Sequence, residues 1–282
     1  MKTKIFLDSG DPAETKIAHE LLGYLDGQTT NPSLIVKHPE AQARAQAGKK
    51  FSQEEIFDFY QKVITEISAL IPVGSVSVEV YADKDTKAET MIEQGLKMNS
   101  WIPNAWIKLP ITPEGLKAAT ELVKQKVRLN LTLCFSQSQA AAVYAATLGA
   151  GKGEVFVSPF VGRLDDRGEN GMDLIANIVK MYSSGDGHVE VLSASVRNQE
   201  HFNESLRLQA DIITAPLKAI QPWAQAGQIV PGDEYVYPKG NLTAIPYQEI
   251  SLTKPWQEYN IQHDLTDKGL EKFATDWNAL IG

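Results

Sequence analysis

The feature that most limits what this chain can become is an alternation. Short apolar runs rich in Val, Ile and Leu recur along it, and longer segments with helical spacing of apolar residues separate them. That pattern marks parallel strands joined by crossover helices. It predicts eight strands, near 4–8, 27–31, 75–80, 105–109, 128–133, 154–158, 189–194 and 211–215. It predicts helices over Pro12–Leu22, Gln53–Leu70, Thr86–Lys97, Glu114–Gln125, Gln137–Leu148, Met172–Tyr182, Gln199–Leu208 and Leu217–Ala226. Asp11 before Pro12, Ser52 before an acidic stretch, and Thr112-Pro113-Glu114 each offer a cap or a first-turn proline. Eight strand–helix pairs in roughly 225 residues suit a closed parallel barrel, whereas an open doubly wound sheet more often has fewer strands and a glycine-rich dinucleotide turn. No G-x-G-x-x-G or G-x-x-x-x-G-K-[ST] pattern follows a strand, and no repeat or low-complexity linker divides the chain.

The expected fold class is therefore α/β, a (β/α)8 TIM barrel, with residues 1–282 as one domain and 228–282 as a C-terminal extension. This tail begins with Pro, Gly and Tyr turn material and closes in a helical run from Asp267 to Leu280. Leu270, Phe273, Ala274, Trp277 and Leu280 share one face of that run, which should dock on the barrel or on a partner subunit. Residues 231–263 carry no assignment.

A formal net charge of -8 argues against a nucleic-acid-binding face, so an anionic ligand must be held by a few local cations. The single Cys134 excludes an internal disulfide, and Met1-Lys2-Thr3-Lys4 runs into a short strand with no long apolar stretch behind it. The expectation is a cytoplasmic protein with no membrane segment. Asn130-Leu131-Thr132, Asn203-Glu204-Ser205 and Asn241-Leu242-Thr243 match a glycosylation triplet and are discounted for want of a secretory signal.

In such a barrel the chemistry sits at the C-terminal mouth, so polar residues ending the strands matter most. They are Asp8, Thr30 and Asn31, Glu79, Lys108, Asn130 and Thr132, Ser158 and Ser195. Any one of them could be a cap or a turn former; convergence on one small volume is what argues for a site. Lys108 stands out, because an ammonium in a strand buried on both faces is expensive to desolvate. The cost falls if the amine stays neutral, and a neutral amine is a nucleophile. The plainer reading is a lysine reaching into solvent, and for Glu79 an ion pair with Lys108. His19, His38, His188, His201 and His263 form no ligand pair at helical or finger spacing, which weakens a metal-dependent mechanism. Gly168-Glu169-Asn170-Gly171 is read as a turn.

Thr29-Thr30-Asn31-Pro32-Ser33-Leu34-Ile35, Ile107-Lys108-Leu109-Pro110, Asn130-Leu131-Thr132-Leu133, Ser158-Pro159-Phe160-Val161-Gly162-Arg163 and Ala194-Ser195-Val196-Arg197-Asn198 together resemble the transaldolase family. The resemblance runs from about Phe6 to Pro216, with a weaker echo in the last helix. It implies a Schiff-base enzyme of the pentose phosphate pathway that moves a dihydroxyacetone unit from a ketose phosphate to an aldose phosphate. Donors would be sedoheptulose 7-phosphate or fructose 6-phosphate, with no cofactor and no metal. Lys108 matches the Schiff-base lysine on the fourth strand. Asp8 matches the carboxylate that exchanges the C4 hydroxyl proton, and Glu79 with Thr132 matches the pair acting through a water on the imine. Asn31 and Asn130 match amides that hold substrate hydroxyls, and Ser158 matches a pocket hydroxyl. Arg163, Ser195 and Arg197 match the phosphate site, as two guanidiniums can capture an anion on an acidic protein. The family includes dimers and larger rings, so the resemblance admits a homo-oligomer. A fructose-6-phosphate aldolase that releases free dihydroxyacetone is the near alternative, and it resembles this chain less at Glu79, where such aldolases carry glutamine. A sugar-phosphate-binding barrel without catalysis is the alternative from another class.

Overall fold

The computed structural model describes residues 3–232 and 234–282. Eight strands close into a barrel in sequence order: β1 Lys4–Asp8, β2 Gly27–Thr29, β3 Ser75–Glu79, β4 Ala105–Pro110, β5 Leu129–Cys134, β6 Val155–Pro159, β7 Val189–Ser193 and β8 Ile212–Ala215. Every neighbouring pair is parallel, and β8 returns to β1 with Ile212 beside Lys4. The expected fold class is the observed one.

Helices α1 (Pro12–Leu22), α4 (Gln53–Leu70), α5 (Ala88–Asn99), α6 (Pro113–Lys124), α7 (Gln137–Ala146), α9 (Gly171–Tyr182), α10 (Gln199–Arg207) and α11 (Leu217–Gln225) form the outer layer. The three expected caps are made. Asp11 accepts from the Ala13 amide, Thr112 accepts from Gly115, and Ser52 with Glu55 forms a reciprocal capping box. Helix α5 starts later than predicted because Thr86 is held in a turn by Asp83, to which its hydroxyl donates at 2.7 Å.

Three helices were not expected: α2 (Pro32–Ile35), α3 (Pro39–Gln46) and α8 (Val161–Asp165). They are too short to show a periodic stripe. Strand β2 ends at Thr29 rather than residue 31, because Asn31 leaves the sheet to cap α2 through its side-chain oxygen.

The barrel interior is graded. At its N-terminal end Trp106 stacks on Phe156 with centroids 5.3 Å apart, and Lys4 pairs with Glu190. Above lies a layer of hydroxyls and amides. Asn130 donates to Ser77 Oγ at 3.1 Å and accepts from Ser158 at 2.6 Å, while the Thr29 and Thr214 hydroxyls meet at 2.6 Å. The Asn130–Ser77 and Thr29–Thr214 bonds each skip a strand and so cross the interior, and all three bonds satisfy polar groups that burial would otherwise penalise. The Lys108–Glu79 pair and Asp8 lie at the C-terminal end.

The tail does dock on the barrel. Its helix α12 (Asp264–Ala279) starts three residues before the predicted run, since His263 caps it by accepting from the Leu265 amide. It lies against α2 and β5 across the mouth, with Leu265, Leu270, Phe273 and Trp277 buried. Trp277 meets Phe57 and Tyr60 edge to face, at 5.6 Å each. Between α11 and α12 the chain runs as a strap over α7 and α9. Buried Gln137 exchanges two hydrogen bonds with the Gln248 backbone, and Asn177 donates to the Ile245 carbonyl. Among the described residues no helix is long and apolar enough to cross a membrane.

Candidate active site

Lys108 rises from β4 into the closed end of the mouth. It is 3% exposed, and its Nζ lies 2.9 Å from Glu79 Oε2 on the neighbouring strand and donates to the Thr30 carbonyl at 3.2 Å. The register sets Glu79 beside Lys108, so the pair follows from strand pairing alone. The Phe273 ring of α12 covers the amine at 5.9 Å. Burial pushes the Glu79 carboxyl above the ordinary carboxylate range, and the Lys108 charge opposes that shift. The plain ion-pair reading and the chemical one thus describe the same two side chains.

Beneath Glu79 runs a chain of hydrogen bonds that sequence reasoning did not find. The Glu79 amide donates to Tyr60 Oη at 2.9 Å, Tyr60 Oη lies 2.9 Å from Thr30 Oγ1, and Thr30 Oγ1 donates to the Ser77 carbonyl at 2.8 Å. Because the threonine proton is used on Ser77, the tyrosine must donate to the threonine. This chain fixes the backbone of both partners of Lys108.

A cavity of about 390 Å³ opens above Lys108, within the range of small-molecule sites, roughly 300–1,000 Å³. Of the residues singled out from sequence, Asp8, Asn31, Lys108, Ser158, Arg163, Ser195 and Arg197 line it. Asp8 accepts from the Thr29 hydroxyl at 2.7 Å. Burial raises its pKa, against the opposing pull of Lys108, the Thr29 bond and Lys37. Asn31 spends its side-chain oxygen on the α2 cap while lining the cavity. Glu79, Asn130 and Thr132 lie behind the lining. Asn130 ties Ser77 to Ser158, and the buried Thr132 hydroxyl has no hydrogen-bond partner among the described residues.

The opposite wall is cationic. Arg163 projects from α8 over the rings of Phe160 and Phe273, at 5.2 and 5.5 Å. Burial, then the nearby Arg197, holds its pKa below the ordinary arginine value. Arg197 follows β7 and pairs with Asp166 at 2.7 Å. Gly162 lets these loops approach, since a Cβ there would sit 2.5 Å from the Ser195 carbonyl oxygen. Sequence reasoning missed Ser33, Lys37, Lys272 and Asp276, which also line the cavity. Ser33 donates to Asp276 and Lys272 pairs with it, binding α12 to α2. Their one signal is a Lys–Asp pair at helical spacing on the polar side of a tail whose apolar face drew attention.

A buried lysine–glutamate pair beneath an arginine-walled cavity, at the C-terminal mouth of a (β/α)8 barrel, marks the class as barrel enzymes. Comparison with known proteins agrees. The profile of the family Transaldolase/Fructose-6-phosphate aldolase matches residues 5–282, and the chain belongs to that family. A probable transaldolase of Leptospira biflexa is 40% identical over 98% of this chain and 98% of its own length. Another, of Dehalococcoides mccartyi, is 34% identical over 98% and 99%. Among solved structures, 3-hexulose-6-phosphate synthase from Salmonella typhimurium overlays with a TM-score of 0.50 at 10% identity, over 80% of this chain and 95% of that one, which speaks to the fold alone. The transaldolase-type enzyme expected from the motifs is thereby supported over the whole chain.

Proposed function

We propose that the protein transfers a dihydroxyacetone unit from a ketose phosphate, sedoheptulose 7-phosphate or fructose 6-phosphate, to an aldose phosphate, as a cytoplasmic enzyme of the pentose phosphate pathway. The observation that carries this reading is the Lys108–Glu79 pair, each side chain 4% exposed, at the closed end of a cavity whose far wall holds Arg163 and Arg197. Lys108 Nζ adds to the ketose C2 carbonyl. Loss of water leaves an iminium, with Glu79 and Thr132 handling the protons. The iminium withdraws electrons as the C3–C4 bond breaks, and Asp8 takes the C4 hydroxyl proton. The aldose departs, and the bound three-carbon enamine attacks the acceptor aldehyde as Asp8 returns the proton. Hydrolysis of the new iminium frees Lys108. Asn31 and Ser158 hold substrate hydroxyls, with Asn130 fixing Ser158 from below. Arg163, Ser195 and Arg197 take the phosphate. The chain works as one unit, because a single apolar core joins barrel residues such as Phe6 to Phe273 and Trp277 of the tail.

Borohydride reduction in the presence of fructose 6-phosphate should leave a three-carbon mass on Lys108. Release of glyceraldehyde 3-phosphate from fructose 6-phosphate should also speed up strongly when erythrose 4-phosphate is added. Cleavage equally fast without acceptor would replace transfer by free aldol cleavage, and absence of any adduct would leave a sugar-phosphate-binding barrel.

A further inference from the structure

One buried group near the cationic wall has no part in that mechanism. His201, in the first turn of α10, is 3% exposed. Its Nδ1 accepts from the backbone amide of Arg197 at 3.3 Å, and its Nε2 lies 2.7 Å from Asp165 Oδ2 on α8. Asp165 is itself fixed, because its other oxygen accepts from the Gly171 amide at 2.9 Å. The partners settle the ring's tautomer. A nitrogen facing an N–H must offer its lone pair, and one facing a carboxylate must donate, so the proton sits on Nε2. A ring protonated on Nδ1 would set N–H against N–H at Arg197.

Two adjacent carboxylates thus hold one arginine from different sides. Asp166 takes the guanidinium in an ion pair with side chains 49% and 62% exposed, a kind of contact that contributes little. Asp165 acts through His201 on the backbone, in a buried setting where hydrogen bonds fix geometry more firmly. The backbone there needs fixing. Ser195 sits at φ 57, in the left-handed region that non-glycine residues seldom occupy, and the loop carries a guanidinium that must meet a phosphate in register.

We propose that Asp165 and His201 are positioning residues for the anion site: they set the place of Arg197 and with it the preference for phosphorylated over unphosphorylated sugars, without touching substrate. The proposal rests on the reading that Arg163, Ser195 and Arg197 receive the phosphate. Among alternatives, the Asp186–His188–Thr147 cluster resembles a catalytic triad, but Thr147 is fully buried, so it offers substrate no access.

The test substitutes His201→Phe, which keeps an aromatic ring without its nitrogens, and His201→Gln, whose amide offers one acceptor and one donor. With fructose 6-phosphate as donor, His201→Phe should raise KM and the inhibition constant of inorganic phosphate about tenfold, with kcat within about twofold. Its kcat/KM on unphosphorylated fructose should stay within about twofold, His201→Gln should recover most of the loss, and Asp166→Asn should shift phosphate affinity less than about threefold. Equal losses on both sugars, or a collapse of kcat, would reduce the pair to ordinary packing and overturn the proposal. Arg197→Ala separates the two levels. If it weakens phosphate while His201→Phe does not, the positioning claim alone fails; if neither weakens phosphate, the phosphate reading fails with it. Should His201→Phe not fold, Asp165→Ala, which removes the acceptor that sets the tautomer, takes the same measurements with the same expected tenfold shift and the same overturning outcomes.

Discussion

The two ends of the cavity are built differently. Lys108 and Glu79 stand on adjacent strands, their geometry set by sheet register and by the Tyr60–Thr30 hydrogen bonds beneath. Arg163 and Arg197 stand on short segments after β6 and β7, and Arg197 is half in solvent. Buried strand ends hold a reactive group in place through bonds the fold makes anyway. Loop-borne cations need added fixtures, here Asp166, His201 and the ring of Phe273. The closed end is thus suited to covalent chemistry, where small displacements are costly, and the open end to a phosphate that must enter and leave.

The largest expected effect breaks the closed end. Lys108→Met should lower kcat by at least about a thousandfold and abolish the borohydride adduct, since the other amines lining the cavity, Lys37 and Lys272, are solvent-exposed. The protein should still fold, because the Glu79 carboxyl, already pushed up by burial, can stay protonated when its partner is gone. Loss of the adduct with a native melting profile is the expected pair of results; full activity in a folded Lys108→Met protein would sink the mechanism.

Asp8 gives the next effect. Asp8→Asn should lower kcat by about 10²–10⁴-fold, the usual range for a general base. The folded pKa of Asp8 is raised, so the ionised form needed to take the C4 proton accumulates only above the ordinary carboxylate range. Activity of the native enzyme should rise with pH through that window, and Asp8→Asn should lose this limb. Stability should run the other way. The folded state holds the Asp8 proton to higher pH than the unfolded chain, so ionisation costs stability as pH rises from the unfolded value through the folded one. Asp8→Asn should then melt higher than the native protein at neutral pH. A pH–rate profile and melting curves across the same pH range check both halves.

The difference between the two ends also explains what could be read from the chain. Lys108 and Glu79 are conspicuous as charges inside apolar strands, and parallel pairing brings neighbouring strand ends together. The strands were legible for the same reason, as was α4, whose apolar stripe spans 18 residues. What escaped depends on partners far away in sequence. The Ser33–Asp276 contact and the seat of Phe273 over Lys108 require α12 to cross the mouth, which periodicity within α12 cannot reveal. The strap was invisible because it has almost no regular structure. The α7 residues Gln137 and Gln139 bear on it, since both are buried and their amide nitrogens donate to the tail, to the Gln248 and Ile261 carbonyls.

The smallest expected effect tests whether the two ends are coupled. Phe273 touches both, with Lys108 5.9 Å and Arg163 5.5 Å from its ring centroid. Phe273→Leu keeps an apolar side chain over the mouth but removes the ring face that faces both cations. The packing change should cost under about 1.5 kcal/mol, and each cation–π contact is worth about 0.5–2 kcal/mol. If the ring serves both ends, kcat should fall and KM for fructose 6-phosphate should rise, each by about threefold, with a slightly lower melting temperature. A change confined to KM would assign the ring to Arg163 and leave the closed end self-sufficient. A change confined to kcat would assign it to Lys108, as the cover that keeps water from the amine. Only a shift in both ties the tail helix to the whole reaction path, and that outcome would make α12 the element through which a strand-built end and a loop-built end are held to one geometry.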